Sequence, residues 1–274
     1  MAVVTISRQT GSSGDEIAAL LAKKLNHELI DDEKIHSLAE GCDDEYKDAC
    51  SAYEIEKFHG FFERLSFNRP AYKSLFESLN LELAGRDNVI LLGRGVQVVL
   101  KEFPGILHVR IVAPQELRIK KIASVKNLSE RAARDYVHSQ DMQRRALVQS
   151  IYKIDLNDFE LYDMVINTTD FSIEASSDLI AVGSQKKAES ATHRLQIEEM
   201  QRMAFAKRLE SIIRKKVETH PFMEGVQVFA KAGGEVTLNG FVRSDRDVKT
   251  TQTIAEDYPG VCKVENLLRV VSGI

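Results

Sequence analysis

Three cysteines, Cys42, Cys50 and Cys262, are too few and too unevenly placed for a disulfide framework, and without a CxxC spacing they do not suggest a zinc site either. Free thiols in a reducing compartment are expected. Long hydrophobic runs are also missing, none approaching the roughly 18 residues that span a bilayer. The opening MAVVTISRQTGSSG lacks the basic start and apolar stretch of a secretory signal. The expectation is a cytoplasmic protein with no transmembrane segment. Nor is there an excess of positive charge: 37 Lys and Arg against 41 Asp and Glu leave a net charge of -4. Nucleic acid is therefore not the expected partner, although a local basic cluster could still hold a small phosphorylated ligand.

What is present is ordinary globular material, 43% hydrophobic and 28% charged. At 274 residues the chain exceeds the usual single-domain length of roughly 100 to 200, so two cores are expected. Strand-like runs at Ala2 to Ile6, Val89 to Leu92, Ile106 to Val112 and Met164 to Ile166 alternate with helical spacing such as Ile17, Leu20, Leu21, Leu25 and the stretch Gln115 to Ser124. That order predicts an α/β fold, a parallel sheet with helices on both faces. Asp43 to Leu83, rich in aromatics (Tyr53, Phe58, Phe61, Phe62, Phe67, Tyr72, Phe76), reads as a helical insertion capping the sheet. Ser184 to Met203 reads as a helical connector. From about Ala204 the order becomes α-β-β-α-β: a helix through Phe205 and Val217, strands at Val226 to Lys231 and Glu235 to Arg243, a helix at Asp245 to Asp257 and a strand at Lys263 to Val271. This predicts a small α+β module with turns at Gly233-Gly234 and Pro259-Gly260. The expected division is 1–185, a connector at 186–203, and 204–274.

Between the first strand and the first helix lies Ser7 to Gly14, a glycine-rich loop. Such a loop is a ready anion site because unpaired backbone N–H groups and the helix dipole converge there. Gly11 and Gly14 allow close approach of a phosphate, and Ser12 and Ser13 offer hydroxyl donors. The GxxxxGK[ST] pattern is absent: alignment by the glycines puts Gly14 where its lysine stands, with Asp15 and Glu16 near the hydroxyl that holds magnesium. A plain helix-capping turn is the other reading of the same residues.

TISRQTGSSGDEIAALLAKKL followed by ELIDDEKI, then NVILLGRGVQVVL, GILHVRIVAPQELRIKKI and DMQRRALVQSIYKIDLNDFELYDMVINTTDFSIEA, resembles the cytidylate kinase-like family in motif order across about 180 residues. The resemblance implies a P-loop NTPase-like sheet, ATP and Mg2+ as cofactors, and phosphoryl transfer to a nucleotide substrate, a nucleoside monophosphate or related small acceptor. It implies that Arg8 contacts phosphoryl groups, an ion pair to Asp31 or Asp32 being the other reading. It further implies that Arg8, Gly11, Ser12, Ser13, Gly14 and Asp15 hold ATP together with Arg118 at the start of a mobile lid. The acceptor side would comprise Asp31, Asp32, Arg94, Asp141, Arg144 and Arg145, with Arg8, Arg94 and Arg144 catalytic. Asp141 and Arg144 equally suit an i,i+3 ion pair.

The segment VQVFAKAGGEVTLNGFVRSDRDVKTTQTIAEDYPGVCKVENLLRVV resembles the BON domain through Gly234, Gly240, Gly260, Val264 and Asn266. That implies a regulatory role or a protein or ligand partner for the C-terminal module. Two other functions fit the sequence: a catalytically weak nucleotide-binding sensor signalling through the BON-like module, and an interaction scaffold with a vestigial kinase-like domain.

Overall fold

The computed structural model of the protein describes residues 3–31, 33–35, 37, 69–189, 193–217 and 225–271. Asp32 and the aromatics Tyr53, Phe58, Phe61, Phe62 and Phe67 lie outside them. The chain divides into two compact units, Met1–Phe58 with Arg86–Ile197, and His59–Gly85 with Glu198–Ile274.

The first unit holds β1 (Val3–Arg8), α1 (Gly14–Leu25) and β2 (Glu28–Ile30). The second contributes α2 (Arg69–Ala84), after which the first resumes with β3 (Val89–Leu92), the short α3 (Val96–Val99), β4 (Ile106–Val112), α4 (Gln115–Lys126), α5 (Glu130–Tyr152), β5 (Met164–Asn167) and α6 (Ile173–Glu189). Its five strands form one all-parallel sheet in the order β2-β3-β1-β4-β5. Crossovers between parallel strands need intervening helices, and the β-then-α grammar supplies them.

Strand alternation divides the sheet's side chains into two sets. Val4 and Ile6 of β1, Ile90 and Leu92 of β3, and Leu107, Val109 and Ile111 of β4 form one apolar core with Ile17, Ala18 and Leu21 of α1 and Ile180 of α6. Full burial of Ile17 and Leu21 is worth roughly 1.5–3 kcal/mol each. α1 is oriented favourably by its own charges, with Asp15 and Glu16 in the first turn and Lys23 and Lys24 in the last. The alternate set is polar: register pairs Thr5 with His108 and Ser7 with Arg110. Thr5 Oγ1 lies 2.8 Å from His108 Nδ1, and Arg110 Nη1 donates to Ser7 Oγ at 2.6 Å.

The second unit contains α2, α7 (His193–Lys216), β6 (Gln227–Ala230), β7 (Glu235–Val242), α8 (Asp245–Glu256) and β8 (Lys263–Val270). β7 is the central strand, antiparallel to β6 and parallel to β8. Leu209, Ile213 and Val217 recur at helical spacing and pack on Val228, Val236, Leu238 and Val242. Gly233 and Gly234, both at positive φ, close the hairpin; a Cβ on Gly234 would stand 2.2 Å from Gly260 O. Ser244 caps α8 by accepting from Asp247 N.

One expectation meets a different arrangement. α2, read as a cap on the parallel sheet, groups with the second unit, where Ser74 Oγ donates to Glu210 at 2.7 Å and Lys207 pairs with Glu77 at 3.0 Å. α7 runs unbroken from the stretch read as a helical connector into the helix read from Ala204.

Candidate functional site

The C-terminal ends of β1, β3 and β4 deliver the groups expected to carry chemistry, which is where ligands bind in open α/β sheets. β1 ends in Arg8, and Gln9 to Ser13 turn the chain into α1. Gly11 has φ 80° and Ser13 φ 67°, so the turn is made from left-handed residues. Ser13 caps α1 without a side-chain hydrogen bond. Among the described residues, the backbone N–H groups of Gly11, Ser13, Gly14, Asp15 and Glu16 make no hydrogen bond. They form a donor-rich cradle at a helix N-terminus.

The loop's own side chains have specific employments. Ser12 is buried and its hydroxyl donates inward to Gln9 O at 2.8 Å. Ser13 Oγ accepts from Lys121 Nζ at 2.8 Å, and the same ammonium pairs with Glu16. Arg8 forms an ion pair with Asp15, with Nη2 to Oδ1 at 3.0 Å and Nε to the same oxygen at 3.2 Å. Among the described residues the carboxylate beside Arg8 is thus Asp15 of the loop; of the two the sequence had suggested, Asp31 is described and Asp32 lies outside the described residues.

Two of the site glycines make room for arginine. A Cβ on Gly14 would fall 2.4 Å from Arg8 Cβ, and one on Gly93 2.3 Å from Arg8 Nη1. Gly11 serves the same purpose for α4, where a Cβ would meet Arg118 O at 2.8 Å. Arg94 itself sits at φ 61° between Gly93 and Gly95, both also at positive φ. A non-glycine residue there costs about 1–2 kcal/mol, a strain that marks functional sites when it is observed. Burial, together with Arg8 and Arg144, pushes the Arg94 guanidinium down to about 9, while Asp31 acts in the opposite direction.

Arg8, Arg94, Arg110 and Arg144 line one cleft with Ser7, Gly93, Gly95, Leu147, Val148 and Leu156. Arg144 reaches it from α5 and donates to Thr10 Oγ1 at 3.0 Å. Arg110, a cation inside the strand ILHVRIV, is not singled out by any motif in the sequence. The available signal was the alternation that puts His108 and Arg110 opposite Thr5 and Ser7.

The remaining candidates lie beside the cleft lining. Asp141 Oδ1 accepts from Thr10 N at 2.8 Å and Oδ2 from Arg118 Nη1 at 2.6 Å. Arg118, 7% exposed, also donates to Ala113 O and Thr10 O. Asp141 and Arg118 thereby buttress the loop from α5 and α4. Arg145 is half exposed and faces Asp155 at 3.9 Å. Asp31 caps the turn after β2, accepting from Lys34 N at 2.9 Å. Among the described residues no group of three His, Cys, Asp or Glu could hold a metal ion unaided, and no helix is long and apolar enough to cross a membrane.

A five-stranded parallel sheet with a glycine loop entering α1 and arginines at the strand ends defines a P-loop NTPase-like α/β protein. Residues 3–170 match the cytidylate kinase-like family, and the chain belongs to it; residues 206–272 match the BON domain. The chain is 26% identical over 176 residues to a cytidylate kinase of Pyrobaculum islandicum, covering 63% of this chain and 87% of that one. It is also 26% identical over 190 residues to a cytidylate kinase of Methanocella arvoryzae, covering 68% and 99%. The fold is similar to that of an uncharacterised protein from Eubacterium ventriosum, with TM-score 0.53 and 15% identity over 68% of this chain and 98% of that one. The family's general chemistry is nucleotide-kinase phosphoryl transfer.

Proposed function

We propose that the first unit transfers the terminal phosphoryl group of ATP to a nucleoside monophosphate, with CMP the first acceptor to test. The observation that carries this reading is the convergence of Arg8, Arg94, Arg110 and Arg144 on one cleft beside the open amides of the Gly11 to Glu16 turn. Phosphoryl transfer asks a protein for charge neutralisation and alignment more than for covalent chemistry, and this is what such a cleft supplies. The kinship with cytidylate kinases supports the choice of acceptor.

In this reading the amides of Gly11, Ser13, Gly14 and Asp15 cradle the donor phosphates, and Arg8 supplies the cation that a lysine at position 14 would otherwise bring. Any side chain at 14 would collide with Arg8, so the two solutions exclude one another. Arg94 and Arg144 hold the acceptor phosphate, and Arg118 and Asp141 keep the loop in shape. Magnesium would neutralise charge on the transferred group; it usually binds through one or two carboxylates together with substrate phosphates. Asp15 and Glu16 are the carboxylates nearest the cradle, each already paired with a cation. The BON unit, without a metal-type cluster among its described residues, suits regulation or binding of a protein or ligand partner.

The test is a coupled ADP-release assay with ATP and Mg2+ across the nucleoside monophosphates. Turnover with CMP or another monophosphate is expected. Background hydrolysis alone with every acceptor overturns the proposal.

A further inference from the structure

Among the described residues the longest sheet edge is also the least protected. The two sheets end on β2, β5, β6 and β8. β2 has three residues and β5 and β6 four each, whereas β8 runs for eight. It is joined to β7 in one unbroken register without a bulge, and it contains no proline. Short edges, bulges and prolines keep an edge strand from pairing with another chain. β8 has none of them.

Its backbone is set out for a further strand. Lys231 N donates to Glu235 O at 2.8 Å, and Val271 N donates to Val242 O at 3.0 Å. The odd-numbered carbonyls of β7 therefore face β6 and its even-numbered ones face β8, while in β8 the odd-numbered amides turn toward β7. Val264, Asn266, Leu268 and Val270 point their N–H and C=O groups away from the sheet. Leu268 N donates to the side chain of its neighbour, Asn266 Oδ1, at 3.1 Å. Among the described residues the amides of Val264, Asn266 and Val270 make no hydrogen bond.

Charge, the remaining safeguard of an edge, is self-complementary here. Val264 and Leu268 pack on the core of the unit, so Lys263, Glu265, Leu267 and Arg269 stand on the solvent face, all exposed. An antiparallel pair of β8 strands keeps both faces continuous only if odd positions oppose odd and even oppose even. With Leu267 on the two-fold axis, Asn266 meets the partner's Leu268 and Val264 the partner's Val270 through the outward backbone groups. On the solvent face Leu267 meets the partner's Leu267, and Glu265 stands opposite the partner's Arg269. The axis makes that opposite-charge contact twice, and cross-strand pairs of this kind stabilise a sheet while like charges destabilise it. Sliding the partner by two residues one way puts Lys263 opposite the partner's Arg269; sliding it the other way puts Glu265 opposite the partner's Val271. Only the Leu267 register satisfies the charges.

We infer that β8 is a homodimerisation edge: a second copy of this chain adds its own β8 antiparallel in the register centred on Leu267, joining the two three-stranded sheets into one. This dimer does not depend on the kinase reading.

Analytical ultracentrifugation of the full chain over a concentration series at low salt tests it, with wild type, Glu265→Arg, Arg269→Glu and an equimolar mixture of the two variants. Wild type is expected to form a dimer. Each variant alone opposes like charges at both contacts and should weaken the dimer roughly tenfold or more. The mixture should associate again, because Arg of one variant then faces Glu of the other at both contacts. Leu267→Cys gives the register independently: residues opposed at a non-hydrogen-bonded position have Cβ atoms about 4.5–5.5 Å apart, so mild oxidation should link two copies through residue 267. Lys263→Cys, which opposes the partner's Val271, should not link to itself through residue 263; mass analysis of the linked peptides separates both from the native cysteines. A wild-type chain that stays monomeric at every concentration overturns the inference. So does a dimer that both charge variants leave intact, or a mixture that associates no better than its components.

Discussion

Arg8 and Gly14 occupy one space: a Cβ on residue 14 would lie 2.4 Å from Arg8 Cβ and 2.8 Å from Arg8 Cγ. These are rigid inner atoms of the side chain, so Arg8 could not yield by turning its far end. Gly14→Lys, which would write a lysine into the loop, is expected to destabilise the protein by about 2 kcal/mol, in the range for overpacking. The double variant Arg8→Gly with Gly14→Lys should recover most of that cost. Urea denaturation of the two single variants and the double variant gives the coupling. Simple additivity of the two changes would show that the positions do not compete.

Arg8→Ala removes the guanidinium while leaving the loop glycines intact. If Arg8 neutralises charge on the transferred phosphoryl group, kcat should fall about 10²- to 10³-fold, the usual loss when one such electrostatic contact is deleted. Steady-state kinetics with ATP and CMP is the measurement. A kcat within a few-fold of wild type would reduce Arg8 to the ion pair with Asp15.

Asp141 joins the loop to α4 and α5 through Thr10 N and Arg118. Asp141→Ala leaves the nearly buried Arg118 without its carboxylate, and breaking such a pair costs about 3 kcal/mol or more. Asp141→Asn keeps the amide contact to Thr10 and should lose less. Chemical denaturation ranks the two; equal losses would mean that the shape of the side chain matters and its charge does not.

The fold was readable because the periods were clean. VVTISR and ILHVRIV are short β-branched runs, the glycine loop separates strand from helix, and VTLNGFV alternates, so the parallel sheet and the C-terminal module follow from local pattern. Long-range pairing was much less legible. α2 joins the second unit through contacts such as Ser74 to Glu210, 136 residues apart in sequence, which no local signal announces. At the site, Arg8, Arg94 and Arg144 were legible from motif position, whereas Arg110 required knowing that β1 and β4 are neighbours in register. The glycines were legible as small residues, but their neighbour was not: Gly14 and Gly93 accommodate Arg8.

His108 connects the sheet to solution pH. Burial pushes its imidazole down to about 4, with Lys187 acting the same way and Asp163 and a backbone contact opposing. The unfolded chain, with an ordinary value near 6.5, therefore binds a proton that the folded one refuses between about pH 6.5 and 4. Stability falls as pH drops through that window. From pH 7 to pH 5 this group should cost about 2 kcal/mol. Comparing wild type with His108→Gln by urea denaturation at both pH values isolates it, since the variant lacks the titration; parallel pH profiles would sink the assignment.

Glu210 is the corresponding stake in the second unit. It is 1% exposed and accepts from Ser74 Oγ at 2.7 Å and Val228 N at 3.2 Å, with Arg214 Nη2 3.1 Å from the carboxylate. One carboxylate thus ties α2, α7 and β6 together within that unit, and its desolvation is offset by those donors together with Lys207 Nζ at 3.5 Å. Glu210→Ala removes the acceptor and leaves Arg214, the Ser74 hydroxyl and a buried amide to be satisfied otherwise, a loss of about 3–5 kcal/mol. Glu210→Gln keeps one carbonyl oxygen and should cost less. Hydrogen exchange of the Val228 amide in the full chain reads the effect where it arises: faster exchange there, with the β1 and β4 amides unchanged, is the expected result. Protection at Val228 equal to wild type would show that the carboxylate does not hold the unit together.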